Sequence, residues 1–575
     1  MASYLSDGVL LYLDHLIDWN AYFGCRSGDG VDLDAEREAL RLVLQTAAEI
    51  CESIEADARS GWEEPARLEG GEVRVPPHVA AGYAKLRDAG LVSWGVDGRY
   101  GGAELPGFVA NVILQMIARA DAGLMTIVGL QAGVAEDIQR YASDELKAFW
   151  LPLFASGEVQ GAMDLTEPQA GSDLGGIATR AREEGGACFL DGEKIFITNG
   201  GARVHLVLAR DADSFEQSKG TTRGLSLYLC PRTLPDGAAN GVHIERLEHK
   251  LGIHGSPTAA IRFEGARAWR IGRKGEGFRA MLDLMNNARL GVAAQGVGIS
   301  EAALHEAVRY ARERVQFGVP IASQPLMKNM LARMTLALEG SRALLYRCCT
   351  LVDRNAAIEV RLGRADPGEA ERAELQAIHE RNQVRIRLLT PLAKYLATET
   401  CNRISREAIQ VHGGLGFMAE STVGKLHADA IITTIYEGTS EIQVSFALKE
   451  IGKGALVVVF DELRRELDAI VDTPLADFAA KVRGGIEQIL GASGALLEDL
   501  GYALLSAKLL ADAVIDVIVG TELLKQAAVD ARRVDLAASW VNRTSLEVEM
   551  NCRRIAEGSV ARIDRCERIV ALADF

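Results

Sequence analysis

No run of uncharged apolar residues in this 575-residue sequence approaches the ~20 needed to cross a bilayer, so no membrane span is expected. The opening Met1-Ala2-Ser3-Tyr4-Leu5-Ser6-Asp7 lacks a basic stretch followed by an apolar core, which argues against a signal peptide. Positive charge is also short: 63 Lys and Arg against 79 Asp and Glu leave a net charge of -16. A nucleic-acid binder needs a basic face to displace counterions from phosphates, so no nucleic-acid partner is expected. The nine cysteines contain no Cys-x-x-Cys pair and no regular spacing, which leaves no sign of a disulfide framework or of a metal site. These absences describe a reduced, cytoplasmic protein. Its slightly positive mean hydropathy of +0.05 points to extra burial between subunits.

What is present divides by period. The length exceeds what one hydrophobic core serves, and two to four domains are expected. From Val9 to about Val159, segments such as Ala35 to Ala56 and Val109 to Leu130 carry apolar residues at helical spacing. From about Gly161 to Gly272, short β-rich runs alternate with turn residues. Ala187 to Leu190, Asp191-Gly192 and Glu193 to Thr198 read as a hairpin with a type I′ turn, and Val204 to Ala209, Leu225 to Leu229, Val242 to Leu247 and Ala259 to Phe263 continue the series. Helical spacing then returns in four long segments, near Phe278 to Glu313, Pro325 to Asp353, Ala373 to Gln410 and Ser421 to Lys449, with the charged stretch Arg361 to Glu374 as a linker. The expected fold is mainly α with a central β domain. Residues 1–159 form an N-terminal helical domain, 160–274 a small antiparallel β-barrel, 275–454 a four-helix bundle, and 455–575 an extra helical tail domain.

The stretch from Ile431 to Ser440 holds one carboxylate, Glu437, after apolar residues and before Gly438. Desolvation raises the pKa of such a carboxylate and makes it a better proton acceptor near neutrality. A solvated glutamate at a helix end, with Gly438 as the stop, accounts for the same ten residues. The loop from Met163 to Leu174 is rich in hydroxyls and small residues, which suits close wrapping of a planar polar ring or a phosphate and equally suits an ordinary connection.

The order of five motifs separates these readings. Leu165-Thr166-Glu167-x-x-Ala170-Gly171-Ser172-Asp173 resembles the first signature of the acyl-CoA dehydrogenase flavoproteins, and Lys194 to Gly200 resembles their flavin-facing strand. Arg312-Glu313-Arg314-Val315-Gln316-Phe317-Gly318 resembles their Arg-x-x-Phe-Gly element. Gln410 to Phe417 with Lys425 and Asp429 is similar to the second signature, and Tyr436-Glu437-Gly438-Thr439 to the catalytic turn. Lys250 to Thr258 resembles the longer bacterial members with a C-terminal helical extension, the methylmercaptopropionyl-CoA dehydrogenase group.

The resemblance implies FAD as cofactor. Leu165, Thr166, Ser172, Phe196 and Thr198 would contact it, with Thr166 and Thr198 bonding the ring, Thr198 near N5 and Phe196 packed against the ring. Arg314 would hold the pyrophosphate and Phe317 would pack near the adenine end. Gln410, Gly413, Gly414, Thr439 and Glu441 complete the set, with Gln410, Gly413 and Gly414 reaching the cofactor from a neighbouring subunit of a homodimer or homotetramer. Ser172, Asn286, Arg289 and Gly438 would meet the acyl-CoA substrate, and Arg289 would tune the catalytic base Glu437. Glu437 would take the α-proton while the β-hydrogen leaves as hydride to flavin N5, yielding the trans-2-enoyl-CoA of fatty acid β-oxidation, and an electron-transfer flavoprotein would accept the electrons. His254 is either structural or a second acid or base. A same-fold oxidase or desulfinase, or a non-catalytic DNA-associated member, is the alternative.

Overall fold

The computed structural model describes residues 4–27, 30–470, 473–496 and 499–573; the side chains of residues 27 and 283–287 lie outside the description. Packing divides the chain into two compact units, and the sequence passes back and forth between them. The first gathers Met1–Tyr4, Leu42–Glu306 and Ala408–Thr433, and the second Leu5–Arg41, Ala307–Glu407 and Thr434–Phe575.

The first unit holds the β domain: β1 Gly161–Asp164, β2 Arg180–Glu184, β3 Ala187–Thr198, β4 Val204–Asp211, β5 Leu225–Pro231, β6 Val242–Leu247 and β7 Thr258–Ile271. Strands β4, β2, β3, β7 and β5 form a closed ring, because β5 returns to pair with β4; β1 adds to β4 and β6 to β7. The barrel is antiparallel except at β1–β4 and β2–β4, which run parallel and which no tight turn can join. Every residue of β4 and β5 is buried. Leu206, Leu208, Leu227 and Leu229 face a cluster with Trp150 and Phe154 from the helix Asp144–Ala155, while Val207, Ala209 and Tyr228 fill the barrel with Leu190, Ile261 and Phe263. That two-sided burial is why apolar residues occupy both faces of these strands rather than alternating with polar ones.

The expected hairpin at Asp191-Gly192 is not there: both residues lie inside β3, which runs on past them. Gly192 has φ +153°, and a Cβ on it would meet Thr179 Oγ1 at 2.5 Å, so glycine serves a close strand approach rather than a turn. The two-residue turn sits upstream at Gly185-Gly186, both with positive φ, joining β2 to β3.

Helices Gly277–Glu313, Pro325–Gly363 and Glu369–His412 are long, as expected, and residues 364–368 connect the last two. The fourth expected helix is interrupted. Thr422–Ile431 ends in a short 3-10 turn, Ile432–Thr434, and a new helix begins at Ser440. In the second unit the tail helices Ala455–Asp468, Ala476–Ser493, Leu500–Val529 and Val534–Ala556 pack on one another, and Leu500–Val529 is buried on most of its circumference. Trp540 lies so close to the helix Pro325–Gly363 that a Cβ on Gly340 would come within 2.4 Å of its ring. Among the described residues no helix is long and apolar enough to cross a membrane.

Candidate active site

In the first unit the loop after β1 is tied to β3 by a buried ion pair. Lys194 Nζ donates to Glu167 Oε1 at 2.8 Å, to the Leu165 carbonyl at 2.9 Å and to the Leu208 carbonyl at 2.8 Å. Glu167 also accepts the Ala178 and Thr179 N–H groups. Burial alone raises the Glu167 carboxyl, but Lys194 and these donors hold it below its ordinary value. The Ile195 N–H then donates to the Thr166 carbonyl at 2.9 Å, which sets Thr166 beside the end of β3.

There β3 bulges: Ile195 and Phe196 together oppose the single Ala260 of β7. A bulge re-aims a side chain. Phe196 takes a left-handed φ of +58° and stands 61 % exposed, and Thr198 follows in register with Thr258. Asn199, also left-handed at +54°, is buried and donates to the Gly161 carbonyl at 3.1 Å. Among the described residues the hydroxyls of Thr166 and Thr198 donate to no protein acceptor. An exposed aromatic face beside two spare hydroxyls suits a flat, polar heteroaromatic ring. Ser172 is exposed on the loop beyond.

Gln410 lies exposed at the end of its helix, followed by three glycines with different reasons to be glycine. Gly413 has φ +61°; a Cβ on Gly416 would meet the Ile409 carbonyl oxygen at 2.6 Å; Gly414 has neither constraint. The fold therefore does not itself require Gly414 to lack a side chain. Phe417 stands 84 % exposed beside them. Arg289 is buried in the helix Gly277–Glu313, and the Asn286 side chain lies outside the described residues. His254 meets the Trp62 ring edge-on at 4.6 Å, and burial with Lys250 pulls it below its ordinary value. That neutral, packed histidine fits the structural alternative. Asp429 accepts Trp62 Nε1 and the Ile253 N–H, and burial raises its carboxyl to about 7.

In the second unit, Arg314 follows the end of its helix, and its carbonyl accepts the Ile321 N–H at 2.8 Å. Val315–Gln316 and Val319–Pro320 pair across a two-residue turn, Phe317-Gly318, with φ +54° and +80°. Such turns favour Asn and Gly, yet a phenylalanine occupies the first position and is 94 % exposed.

Glu437, half-buried, has φ +54°, and Gly438 φ +91°. Their carbonyls are held from two sides. Buried Gln443 donates Nε2 to the Glu437 carbonyl at 2.8 Å and to the Gly438 carbonyl at 2.9 Å, and buried Lys394 donates to the Gly438 carbonyl at 2.8 Å. Thr439 caps the next helix through the Ile442 N–H, and Ser440 donates to Glu399 at 2.6 Å. Glu441 is exposed, with Lys508 at 3.7 Å. Sequence reasoning missed Lys394 and Gln443. Gln443 had a local signal, a polar residue on the first turn after the Thr439 cap; Lys394, far upstream, had none.

Of the six non-glycine residues with positive φ among those described, Phe196, Phe317 and Glu437 are site residues named from sequence, and Asn199 adjoins Thr198. Left-handed conformations cost non-glycine residues ~1–2 kcal/mol each, and such strain collects where function demands it.

Known proteins share this chain's sequence and fold. Family models described as the N-terminal, middle and C-terminal domains of acyl-CoA dehydrogenase match residues 38–158, 162–266, and 275–366 with 369–452. The chain is 34 % identical over 457 residues to 3-methylmercaptopropionyl-CoA dehydrogenase of Ruegeria pomeroyi, covering 76 % of this chain and 74 % of that one. It is similar to butyryl-CoA dehydrogenase from Megasphaera elsdenii, with a TM-score of 0.60 and 28 % identity over 73 % of this chain and 98 % of that one. The fold also matches an acyl-CoA dehydrogenase complexed with FAD from Bacillus anthracis, with a TM-score of 0.74 and 23 % identity over 93 % of this chain and 90 % of that one.

Proposed function

Because the chain belongs to the acyl-CoA dehydrogenase family, FAD-binding oxidoreductases that act on CH–CH groups, we propose that it oxidises an acyl-CoA thioester to the trans-2-enoyl-CoA with Glu437 as base. The observation that carries this reading is the strained, doubly tethered turn at Glu437. A solvated helix-end glutamate has no need of a buried lysine and a buried glutamine holding its own carbonyl and the one after it.

The Glu437 carboxylate takes the proton from the α-carbon, and its left-handed backbone sets the direction of approach. With the carbonyls of Glu437 and Gly438 held by Gln443 and Lys394, the turn cannot relax when charge moves. The Glu437 N–H is assigned to the thioester oxygen, where a fixed donor stabilises enolate-like charge. Ser172, Asn286, Arg289 and Gly438 are assigned to the acyl-CoA.

FAD, when bound, supplies the acceptor for the hydride that leaves the β-carbon. Leu165, Thr166, Ser172, Phe196 and Thr198 would hold its ring end, and Arg314, Phe317, Gln410, Gly413, Gly414, Thr439 and Glu441 the remainder. The exposed Phe196 and the spare threonine hydroxyls support this fit. Exposed Phe317 and Leu326 in one unit and Leu415 and Phe417 in the other support a homodimer or homotetramer in which a second subunit covers such faces. We place the enzyme in the cytoplasm, in fatty acid β-oxidation, with an electron-transfer flavoprotein as acceptor; its nine unpaired cysteines, six of them buried, suit a reducing compartment.

The test is anaerobic titration of the flavin-loaded protein with short, long, branched and aromatic acyl-CoAs. At least one is expected to bleach the flavin, and Glu437→Gln to bind flavin but not bleach. Full flavin occupancy with no bleaching by any acyl-CoA would overturn the reading, and rapid bleaching by Glu437→Gln would move the base elsewhere.

A further inference from the structure

The second unit encloses a cavity of about 310 Å³ that none of the motifs accounts for. It opens among the helices Pro325–Gly363, Glu369–His412, Ala455–Asp468 and Leu500–Val529, with Tyr12 on one wall. Arg347 and Arg385, at 7 % and 9 % side-chain exposure, lie along it with buried Asn382. Arg347 Nη1 donates to Glu466 Oε2 at 2.8 Å and to Glu522. Arg385 donates Nη2 to Glu462 and Nη1 to Asn382 Oδ1 at 3.2 Å, which leaves the Asn382 amide nitrogen for other use.

Among the described residues, three buried side-chain atoms of this lining lack a protein partner: Arg347 Nε, Arg385 Nε and Asn382 Nδ2. All three are donors, and among the described residues no fully buried acceptor of the lining is left without a partner. A buried donor left unmet is costly, so a lining with three of them suits an acceptor. At the exposed rim, Arg354 and Arg381 have no ion pair among the described residues. The lining as a whole carries six Arg and Lys against four Asp and Glu, a local surplus of two positive charges in a chain of net charge -16. Burial pulls the Arg385 guanidinium below its ordinary value, with Glu462 opposing the effect.

We propose that this cavity binds a small phosphate-class oxyanion, with Arg347, Arg385 and Asn382 as its floor and Arg354 and Arg381 as its rim. Donors arriving from three side chains suit a tetrahedral anion better than a planar carboxylate, and a charge near -2 balances the local surplus. The volume exceeds that of the bare ion and stands at the low end of small-molecule pockets, roughly 300–1,000 Å³, which leaves room for an organic group on the phosphate. The floor guanidiniums come from two long helices before residue 412, and their carboxylate partners Glu462, Glu466 and Glu522 from the helices after 455. The lining shares no residue with the Glu437 turn, so this inference stands apart from the acyl-CoA reading.

The test uses the full-length, flavin-loaded protein and three titrants: inorganic phosphate, glycerol 3-phosphate, and sodium chloride at matched ionic strength. Calorimetry is expected to show saturable one-to-one binding of at least one phosphate titrant, with a rise in melting temperature that chloride does not reproduce. Binding of glycerol 3-phosphate alone would assign the site to a phosphomonoester, and binding of both to the free ion as well. The rim variant Arg354→Gln/Arg381→Gln, which breaks no ion pair, is expected to weaken binding roughly tenfold or more while its ligand-free melt stays at the wild-type value. Asn382→Leu is expected to weaken it similarly. No saturable binding in the wild type, or equal affinity in the rim variant, would overturn the proposal.

Discussion

Replacing Gln443 by methionine removes one amide from the Glu437 turn and little else. Methionine keeps the length and approximate volume of the side chain, so the buried site stays filled. Two hydrogen bonds are lost, to the carbonyls of Glu437 and Gly438, each worth about 1 kcal/mol net. Together they offset the ~1–2 kcal/mol cost of holding a glutamate at φ +54°. With Lys394 alone remaining, the left-handed turn is no longer favoured, and its population is expected to fall by a factor of about 5–30. Global stability should barely move. Gln443 Oε1 is buried without a partner, so the substitution also removes a buried acceptor whose desolvation costs ~1–3 kcal/mol. The assay is stopped-flow anaerobic bleaching of the bound flavin by an acyl-CoA that reduces the wild type, alongside flavin content and a thermal melt. The expected result is bleaching slowed about 5–30-fold with flavin content and melting temperature near wild type. Bleaching within twofold of wild type, with the melt unchanged, would show that the turn holds its shape without Gln443 and would refute the tether argument.

Three further outcomes are expected. Phe196→Gly relieves a left-handed phenylalanine, so the flavin-free protein should melt no lower than wild type, while dialysis should strip its flavin faster; unchanged flavin retention would remove Phe196 from the cofactor site. Lys194→Met strands the buried Glu167 carboxylate and should cost ~3–5 kcal/mol in denaturant unfolding at pH 7. Because Glu167 is held below its ordinary value, its stabilising contribution is present above about pH 4.5 and lost as pH falls through the folded value; loss of Lys194 should flatten that acid limb, and parallel pH–stability curves would contradict the assignment. Gly340→Ala puts a methyl group within 2.4 Å of the Trp540 ring and should lower stability by ~1–3 kcal/mol despite alanine's better helix propensity, as read from the melting transition; a neutral or stabilised variant would show that the Trp540 ring yields easily.

Most of the architecture was legible because its signals are local. Helical spacing marks the long segments, short β-rich runs between turn residues mark β4 and β5, and motif order singles out Phe196, Phe317 and Glu437, which all have left-handed backbones. The failures have one physical cause, a distant partner. Asp191-Gly192 has the composition of a turn, but Thr179, just before the neighbouring strand, decides that the glycine admits a close approach. The apolar period from Ser421 to Lys449 runs on through Glu437, yet Lys394 and Gln443 stabilise a break there. Glu167 looked like one member of a loop motif, and its pairing with Lys194 in a dry interior is set by chain closure rather than spacing.

The chain's repeated passage between the two units constrains how it can be made. The first unit is not complete until residue 433 has been synthesised, although its penultimate segment ends at Glu306. At roughly 5–20 residues per second, the nascent barrel waits on the order of ten seconds for its last piece. Over that interval any barrel surface that the late segment covers stays open to solvent. Synthesis therefore passes through a stage in which a nearly finished core depends on dilution or chaperone cover to avoid sticking to its neighbours, and no single cut in the gene would leave both units whole.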